Sequence, residues 1–291
     1  MNRNLDLIEL IQNSYPKFSK GHKIIANYII NNYDKAAFMT AVALGEATGV
    51  SESTVVRFAI RLGYDGYREL QNDLQELIKN KLTTVQRLHL ADNKYGDNKD
   101  FVPKIMERDM DNIKKIINEF DFSSFEKAID IILKSNQIYI LGLRSSAFLA
   151  GYLSFYLNFL FSNIKLVSPG PNDIFEQFLN ITSDDVIIII TYPRYSKRII
   201  DVLEYAKEKG TKIITITDSF NSPAAQKADV ALIASSDMLS FVDSLVAPMS
   251  LINAFIIALG IEKKDNLNNY FEDLEEIWKK YGIYNDDSLE Y

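Results

Sequence analysis

"ALGEATGVSESTVVRF", residues 43–58, holds the turn on which the reading of the N-terminal part depends. Gly45 keeps a first helix slim, Gly49 can adopt the left-handed conformation of a tight turn, Val50 plugs that turn, and Ser51 can cap a second helix. Continuing to Tyr64, residues Val50, Val55, Phe58 and Leu62 recur at helical spacing and can face a core. Ser51, Ser53, Thr54, Arg57 and Arg61 then project elsewhere. Two short helices at a steep angle, the second with a hydroxyl- and arginine-rich outer face, make a helix-turn-helix.

The flanking sequence extends this unit. Leu5–Gln12, Ser19–Tyr33, Thr40–Thr48 and Ser51–Leu62 each place apolar residues three and four apart, with breaks at "NSYP" and "TGVS", and no strand pattern interrupts them. "HLADNKYGDNKDFVPK", with Gly96, Pro103 and clustered Asn, Asp and Lys, has the composition of an exposed linker. Beyond it, "QIYILGL", "IKLV", "DVIIIIT", "KIITIT" and "DVALIA" are β-branched, largely unalternating runs, mostly separated by helical segments. Such runs are expected for strands buried on both faces, hence for a parallel sheet with helices on both sides. The expected organisation is an all-α helix-turn-helix domain over residues 1–82, a linker over 83–103, and an α/β domain with a doubly wound five-stranded parallel sheet over 104–291.

Composition narrows the function classes. At 291 residues, 47% hydrophobic and 24% charged, the chain suits about two globular domains. The longest apolar runs fall short of the roughly 18 residues a membrane span needs, and the start lacks a signal peptide's apolar core, so a cytoplasmic location is expected. The absence of cysteine excludes disulfides, thiolate zinc sites and cysteine nucleophiles. The net charge of −7 is uneven: residues 1–90 hold eleven Lys and Arg against nine Asp and Glu, leaving the remainder with −9. That asymmetry is compatible with a nucleic-acid-facing N-terminal part joined to an acidic remainder.

Within the second helix the polar residues divide by reach. Ser51, Ser53, Thr54 and Arg57 lie at its start, where a recognition helix meets base edges in the major groove of double-stranded DNA. Arg61, Tyr67 and Arg68 come later and are expected to hold phosphates. Glu52 can accept from a cytosine amino group or simply favour the helix N-terminus.

The segment "GVSESTVVRFAIRLGYDGYRELQNDL" resembles the DNA-binding domain of RpiR/MurR-type bacterial transcription regulators, particularly through Arg57, Phe58, Leu62, Gly63, Tyr64, Gly66 and Tyr67. The later part resembles the SIS (sugar isomerase) domain that those regulators carry. The resemblance covers nearly the whole chain. It implies an operator DNA, a homodimer or homotetramer, and a small metabolite, often a phosphorylated sugar, bound by the SIS domain.

Two loops are candidate ligand contacts. In "ILGLRSSAFLAGYL", Gly142 can turn the chain off a strand, and Ser145 and Ser146 stand at a helix start where hydroxyls and unpaired amides suit an anion, with Arg144 beside them. In "IIIITYPRYSKRIID", Thr191, Pro193, Arg194 and Ser196 align with the Ser, Ser, Gly and Thr of the Ser-x-Ser-Gly-x-Thr pattern in which phosphosugar-binding SIS domains resemble one another. Here Arg194 replaces the glycine and adds a forked cation able to grip a carboxylate or phosphate. Glu176 could meet a ligand hydroxyl or amine, or be a surface acid. Asp218, Ser219 and Ser222 follow the fourth run, where a Ser-Pro turn explains most of the pattern.

The alternative function is a sugar-phosphate isomerase or lyase. That chemistry wants a proton-transferring group tuned near neutrality, and the two histidines, His22 and His89, lie outside the α/β domain. No catalytic residue, cofactor or metal is therefore expected, since no ligand set has metal spacing. The reading adopted is a DNA-binding regulator that senses a small anionic metabolite.

Overall fold

A computed structural model describes residues 7–95, 100–264 and 267–284. The chain divides into two compact units between residues 96 and 97. Among the described residues the first unit is helical: α1 (Leu7–Ser14), α2 (Lys20–Asn31), α3 (Tyr33–Ala36), α4 (Ala41–Thr48), α5 (Glu52–Arg61), α6 (Tyr67–Lys81) and α7 (Thr84–Tyr95). Local chemistry sets several starts. Ser19 Oγ accepts the His22 N–H at 3.3 Å and Thr40 Oγ1 accepts the Ala43 N–H at 3.2 Å, so each caps the helix that follows.

The second unit comprises α8 (Phe101–Asn118), α9 (Phe122–Lys134), β1 (Ile138–Gly142), α10 (Ser146–Leu160), β2 (Ile164–Val167), β3 (Val186–Ile190), α11 (Lys197–Glu208), β4 (Lys212–Thr217), β5 (Val230–Ile233), α12 (Val246–Glu262) and α13 (Leu267–Tyr281). The sheet is parallel with order β2-β1-β3-β4-β5, so the connections diverge between β1 and β3. Alternate strand residues feed two cores. Ile138, Ile140, Ile188 and Ile190 pack with Leu153 of α10 and Phe255 of α12 on one face. Tyr139, Leu141, Ile187 and Ile189 pack with Ile199 and Val202 of α11 on the other. Complete burial holds for β1 and β3, whereas the edge strands β2 and β5 are partly open because less of their surface is covered.

The described residues of the expected linker, 83–95 and 100–103, are largely helical. They carry α7 and the first turn of α8, and Pro103 is the third residue of α8. A proline there loses no intrahelical bond, because the first N–H groups of a helix have no partner in it. The proline signal thus marks a helix start.

Gly142 does not turn the chain as expected: it ends β1, and the left-handed residue of the following turn is Arg144, with φ 59°. What Gly142 supplies is room. A Cβ there would lie 2.3 Å from the Ser146 carbonyl oxygen and 3.0 Å from Ala150 Cβ. Gly142→Ala is therefore expected to destabilise the α/β unit by about 3 kcal/mol, the upper end for overpacking. Gly151→Ala, in the same helix that Gly142 packs against and with nothing within 4 Å of its added Cβ, is expected to gain about 0.5–1 kcal/mol of helix propensity. Denaturant unfolding of the two variants checks this opposite pair.

Candidate functional site

The candidate DNA surface is built on α4, the Gly49 turn and α5. Gly49 has φ 68°, and a Cβ on Gly45 would sit 2.8 Å from the Val50 carbonyl oxygen, so α4 and the turn meet at backbone contact. Val55, Phe58 and Ala59 are fully buried, while Ser51, Ser53, Arg57 and Arg61 are exposed and Thr54 is half-buried. Ser51 begins the helix by position without capping it. Its hydroxyl bonds to those of Ser53 at 3.0 Å and Thr54 at 2.9 Å, and Arg57 donates to Thr54 Oγ1 at 3.3 Å. The structure brings these four polar residues into one linked patch.

Arg68 is exposed in the first turn of α6. Tyr67 departs from the expectation that its phenol holds a phosphate. The side chain is buried, its hydroxyl donates to the Met39 carbonyl at 2.8 Å, and burial pushes its pKa up to about 12. It ties α6 to the segment before α4. A neighbour that the sequence pattern does not reveal is His22 on α2, whose ring meets the edges of Phe18 and Phe58 at 6.0 and 5.7 Å. Its α2 neighbour Gly21 lies close enough to α5 that an added Cβ would be 3.3 Å from Thr54 Cγ2.

The candidate ligand site lies at the carboxyl ends of the strands, beside the β1/β3 divergence where doubly wound folds bind ligands. A cleft of about 350 Å³ is lined by Leu143 and Arg144 after β1, Pro169 to Ile174 in part after β2, and Ser196 and Arg198 at the start of α11. That volume suits a small metabolite. Arg144 is exposed in a left-handed conformation; its carbonyl accepts the Ala147 N–H at 3.1 Å, while its guanidinium has no hydrogen-bond or ion-pair partner among the described residues. Arg198, which no sequence motif singles out, pairs with Asp173 across the cleft. The Phe175 N–H, then Arg198, holds the Asp173 carboxyl below its ordinary value.

The other expected ligand contacts are dispersed. Ser145 is exposed in the turn and does not cap α10, while Ser146 is buried as that helix's first residue. Thr191 is buried, and its N–H donates to the Ile216 carbonyl at 3.1 Å, extending β3. Arg194 is outside the residues lining the cleft, but its φ of 67° explains why a glycine suits the corresponding place in the SIS pattern. Pro193 lies in the bend before α11 and does not start it. Glu176 accepts the Asp173 N–H at 3.3 Å, bracing the wall of the cleft from outside. Ser222 caps the short turn at Ala225, whose N–H it accepts at 3.0 Å, and Asp218 is buried with Tyr195 donating to it at 2.7 Å. No helix of the described residues is long and apolar enough to cross a membrane.

A helix-turn-helix unit joined to a five-stranded doubly wound domain defines a two-domain regulator architecture, and comparison with known proteins agrees. The helix-turn-helix domain of the rpiR family matches residues 5–81, and the SIS domain matches residues 131–258. The HTH-type transcriptional regulator HexR of Escherichia coli K12 is 25% identical over 284 residues, covering 94% of this chain and 95% of its own. An uncharacterised HTH-type transcriptional regulator of Clostridium perfringens is 24% identical over 230 residues, 78% of this chain and 81% of its own. In fold, the Vibrio vulnificus NanR protein complexed with ManNAc-6P aligns with TM-score 0.57 and 18% identity over 95% of this chain and 99% of that one. The chain belongs to the RpiR family of helix-turn-helix transcriptional regulators with a C-terminal SIS domain.

Burial, then the positive charges of Arg57 and Arg61, holds the His22 imidazole below its ordinary pKa. Because the folded value is depressed, the unfolded chain takes up the proton first on acidification. Stability linked to His22 is therefore full above about pH 6.5 and falls as pH drops towards the folded value. An NMR titration should place the His22 midpoint below the ordinary imidazole value of about 6.5, and Arg57→Ala should move it upward.

Proposed function

We propose that α5 reads an operator in double-stranded DNA and that the α/β unit senses a small anionic metabolite, a sugar phosphate or sugar-like acid, without turning it over. One observation carries the sensor half: two arginines, Arg144 and Arg198, face a cleft that also holds the Ser196 position. The carboxylate in that cleft, Asp173, is held ionised by its hydrogen bonds, whereas a general acid or base needs a pKa near the working pH. A sensor needs only differential binding. A homodimer or homotetramer would present paired α5 helices to half-sites, and ligand would act by shifting the population of two assembly arrangements that space those helices differently. NanR, solved with ManNAc-6P, supports phosphorylated sugars as first probes.

The DNA half predicts a division between two arginines of α5. Arg57→Ala is expected to cost about 1–3 kcal/mol on the selected operator and to relax discrimination at one base pair. Arg61→Ala is expected to weaken operator and random DNA alike and to flatten the salt dependence. Fluorescence anisotropy against a site selected from genomic fragments, with a scrambled control at several salt concentrations, checks both. Equal losses on the two DNAs from Arg57→Ala would remove its base-reading role.

The ligand half predicts that stability and binding separate at Arg144. Glycine accepts φ 59° without strain, so Arg144→Gly is expected to leave the melting temperature of the free protein unchanged or higher. The same variant is expected to lose most of the thermal shift that the wild type gains from phosphorylated sugars, because a ligand stabilises only the state that binds it. A full shift in Arg144→Gly would take Arg144 out of the site.

A further inference from the structure

The wall of the cleft opposite α11 is the segment that follows β2. Its base is pinned: Gln177 Nε2 donates to the Ser168 carbonyl at 2.8 Å, and Lys165 Nζ donates to the Gln177 carbonyl at 2.5 Å. Asp173 stands on this braced wall. One of its carboxylate oxygens accepts the Phe175 N–H at 3.0 Å, and the other takes the Arg198 guanidinium, which also lies 5.9 Å from the centre of the Phe175 ring. The ion pair is therefore held in place from both sides, yet its side chains are 52% and 46% exposed. An exposed pair of this kind contributes little net stability and exchanges readily with a competing anion.

The cleft's charge follows from these positions. Arg144 and Arg198 supply two positive charges and Asp173 returns one negative charge, so the ligand-free cleft is singly positive. An incoming anion that takes Arg198 must leave the Asp173 carboxylate unpaired nearby. A singly charged carboxylate would only replace one carboxylate with another and add repulsion. A dianion gains against both arginines and can displace the pair.

We infer that Asp173 is a built-in counter-anion of the ligand cleft, which occupies Arg198 in the ligand-free protein and sets a minimum charge for the ligand. The inference rests on the anion-site reading given above. Asp173 acts here as a specificity-determining residue: it tolerates dianions such as a phosphomonoester and rejects monocarboxylates, which narrows the ligand class proposed above to its phosphorylated members. Displacement needs only the Arg198 side chain to swing, because Gln177 pins the base of the wall and the Phe175 N–H still holds Asp173 by its other carboxylate oxygen.

The test titrates inorganic phosphate and acetate calorimetrically into the full-length protein near pH 7.5. The set comprises wild type, Asp173→Asn, Arg198→Ala, the double variant, and Glu208→Gln as a control for loss of one distant negative charge. In Asp173→Asn the side-chain amide oxygen can still accept the Phe175 N–H, so the wall should keep its turn. Asp173→Asn is expected to bind phosphate about three- to tenfold more tightly than wild type and to acquire measurable acetate binding, with Glu208→Gln unchanged. In the Arg198→Ala background the same substitution should gain much less, because the partner it frees is gone. Equal phosphate affinity in wild type and Asp173→Asn would overturn the role of Asp173 while leaving the anion site standing. A gain that persists in full without Arg198 would also overturn it. Absence of phosphate binding in both wild type and Asp173→Asn would overturn the anion site together with this inference.

Discussion

In each unit, a glycine lets a backbone carbonyl come closer than any side chain would permit. The Val50 carbonyl approaches Gly45 and the Ser146 carbonyl approaches Gly142, to 2.8 and 2.3 Å of where a Cβ would stand. Nothing larger fits, so these contacts fix the direction in which the chain leaves the turn. One contact aims α5, with its linked patch of Ser51, Ser53, Thr54 and Arg57. The other sets α10 directly against the end of β1 and thereby places Arg144 at the mouth of the cleft. The two candidate surfaces are consequences of how closely two backbones can approach.

Strain gathers at the same sheet edge. Arg144 and Arg194 have left-handed φ without being glycine, in the turns after β1 and β3, the strands between which the connections diverge. Such a conformation costs roughly 1–2 kcal/mol for a residue with a Cβ and persists only where the surroundings impose it. Fully buried strands on both sides of the divergence supply that imposition. Isoleucines of β1 and β3 fill both cores and hold the strand ends rigid, so the turns beyond them absorb the strain.

The electrostatics of the two units differ in kind. On α5 the arginines are exposed and their field extends to His22, whose imidazole is kept neutral by burial and by that field. Neutrality of His22 limits the positive charge packed beside Phe58 while leaving the outer face cationic. In the cleft, by contrast, Arg198 is matched by the Asp173 carboxylate of the same chain, and Arg144 leaves the lining singly positive. A DNA surface gains from every added positive charge, whereas a selective small-molecule site gains from a balance that most anions cannot tip.

Much of this is legible in the residues because it is decided within four positions of chain. The helix starts at Ser19 and Thr40, the left-handed Gly49, the buried face of α5 and the apolar runs of the sheet are each set by local backbone chemistry or by periodicity, although Ser51, read as a cap, makes no capping bond. What the local pattern does not carry is partnership across the chain. Tyr67 has the position of a phosphate ligand beside Arg68, but its hydroxyl is bound to Met39, 28 residues away. Arg198 has the position of an ordinary charge on α11, yet it faces Asp173, 25 residues before it. Pro103 and its polar neighbours read as a linker because composition does not distinguish a loop from the first turn of a helix. The sequence by itself determined the two kinds of domain, since turn chemistry and hydrophobic period act over a few residues. Only the tertiary structure decided which side chains share the cleft, because the strand order β2-β1-β3 brings the segments after β1, β2 and β3 to one edge of the sheet.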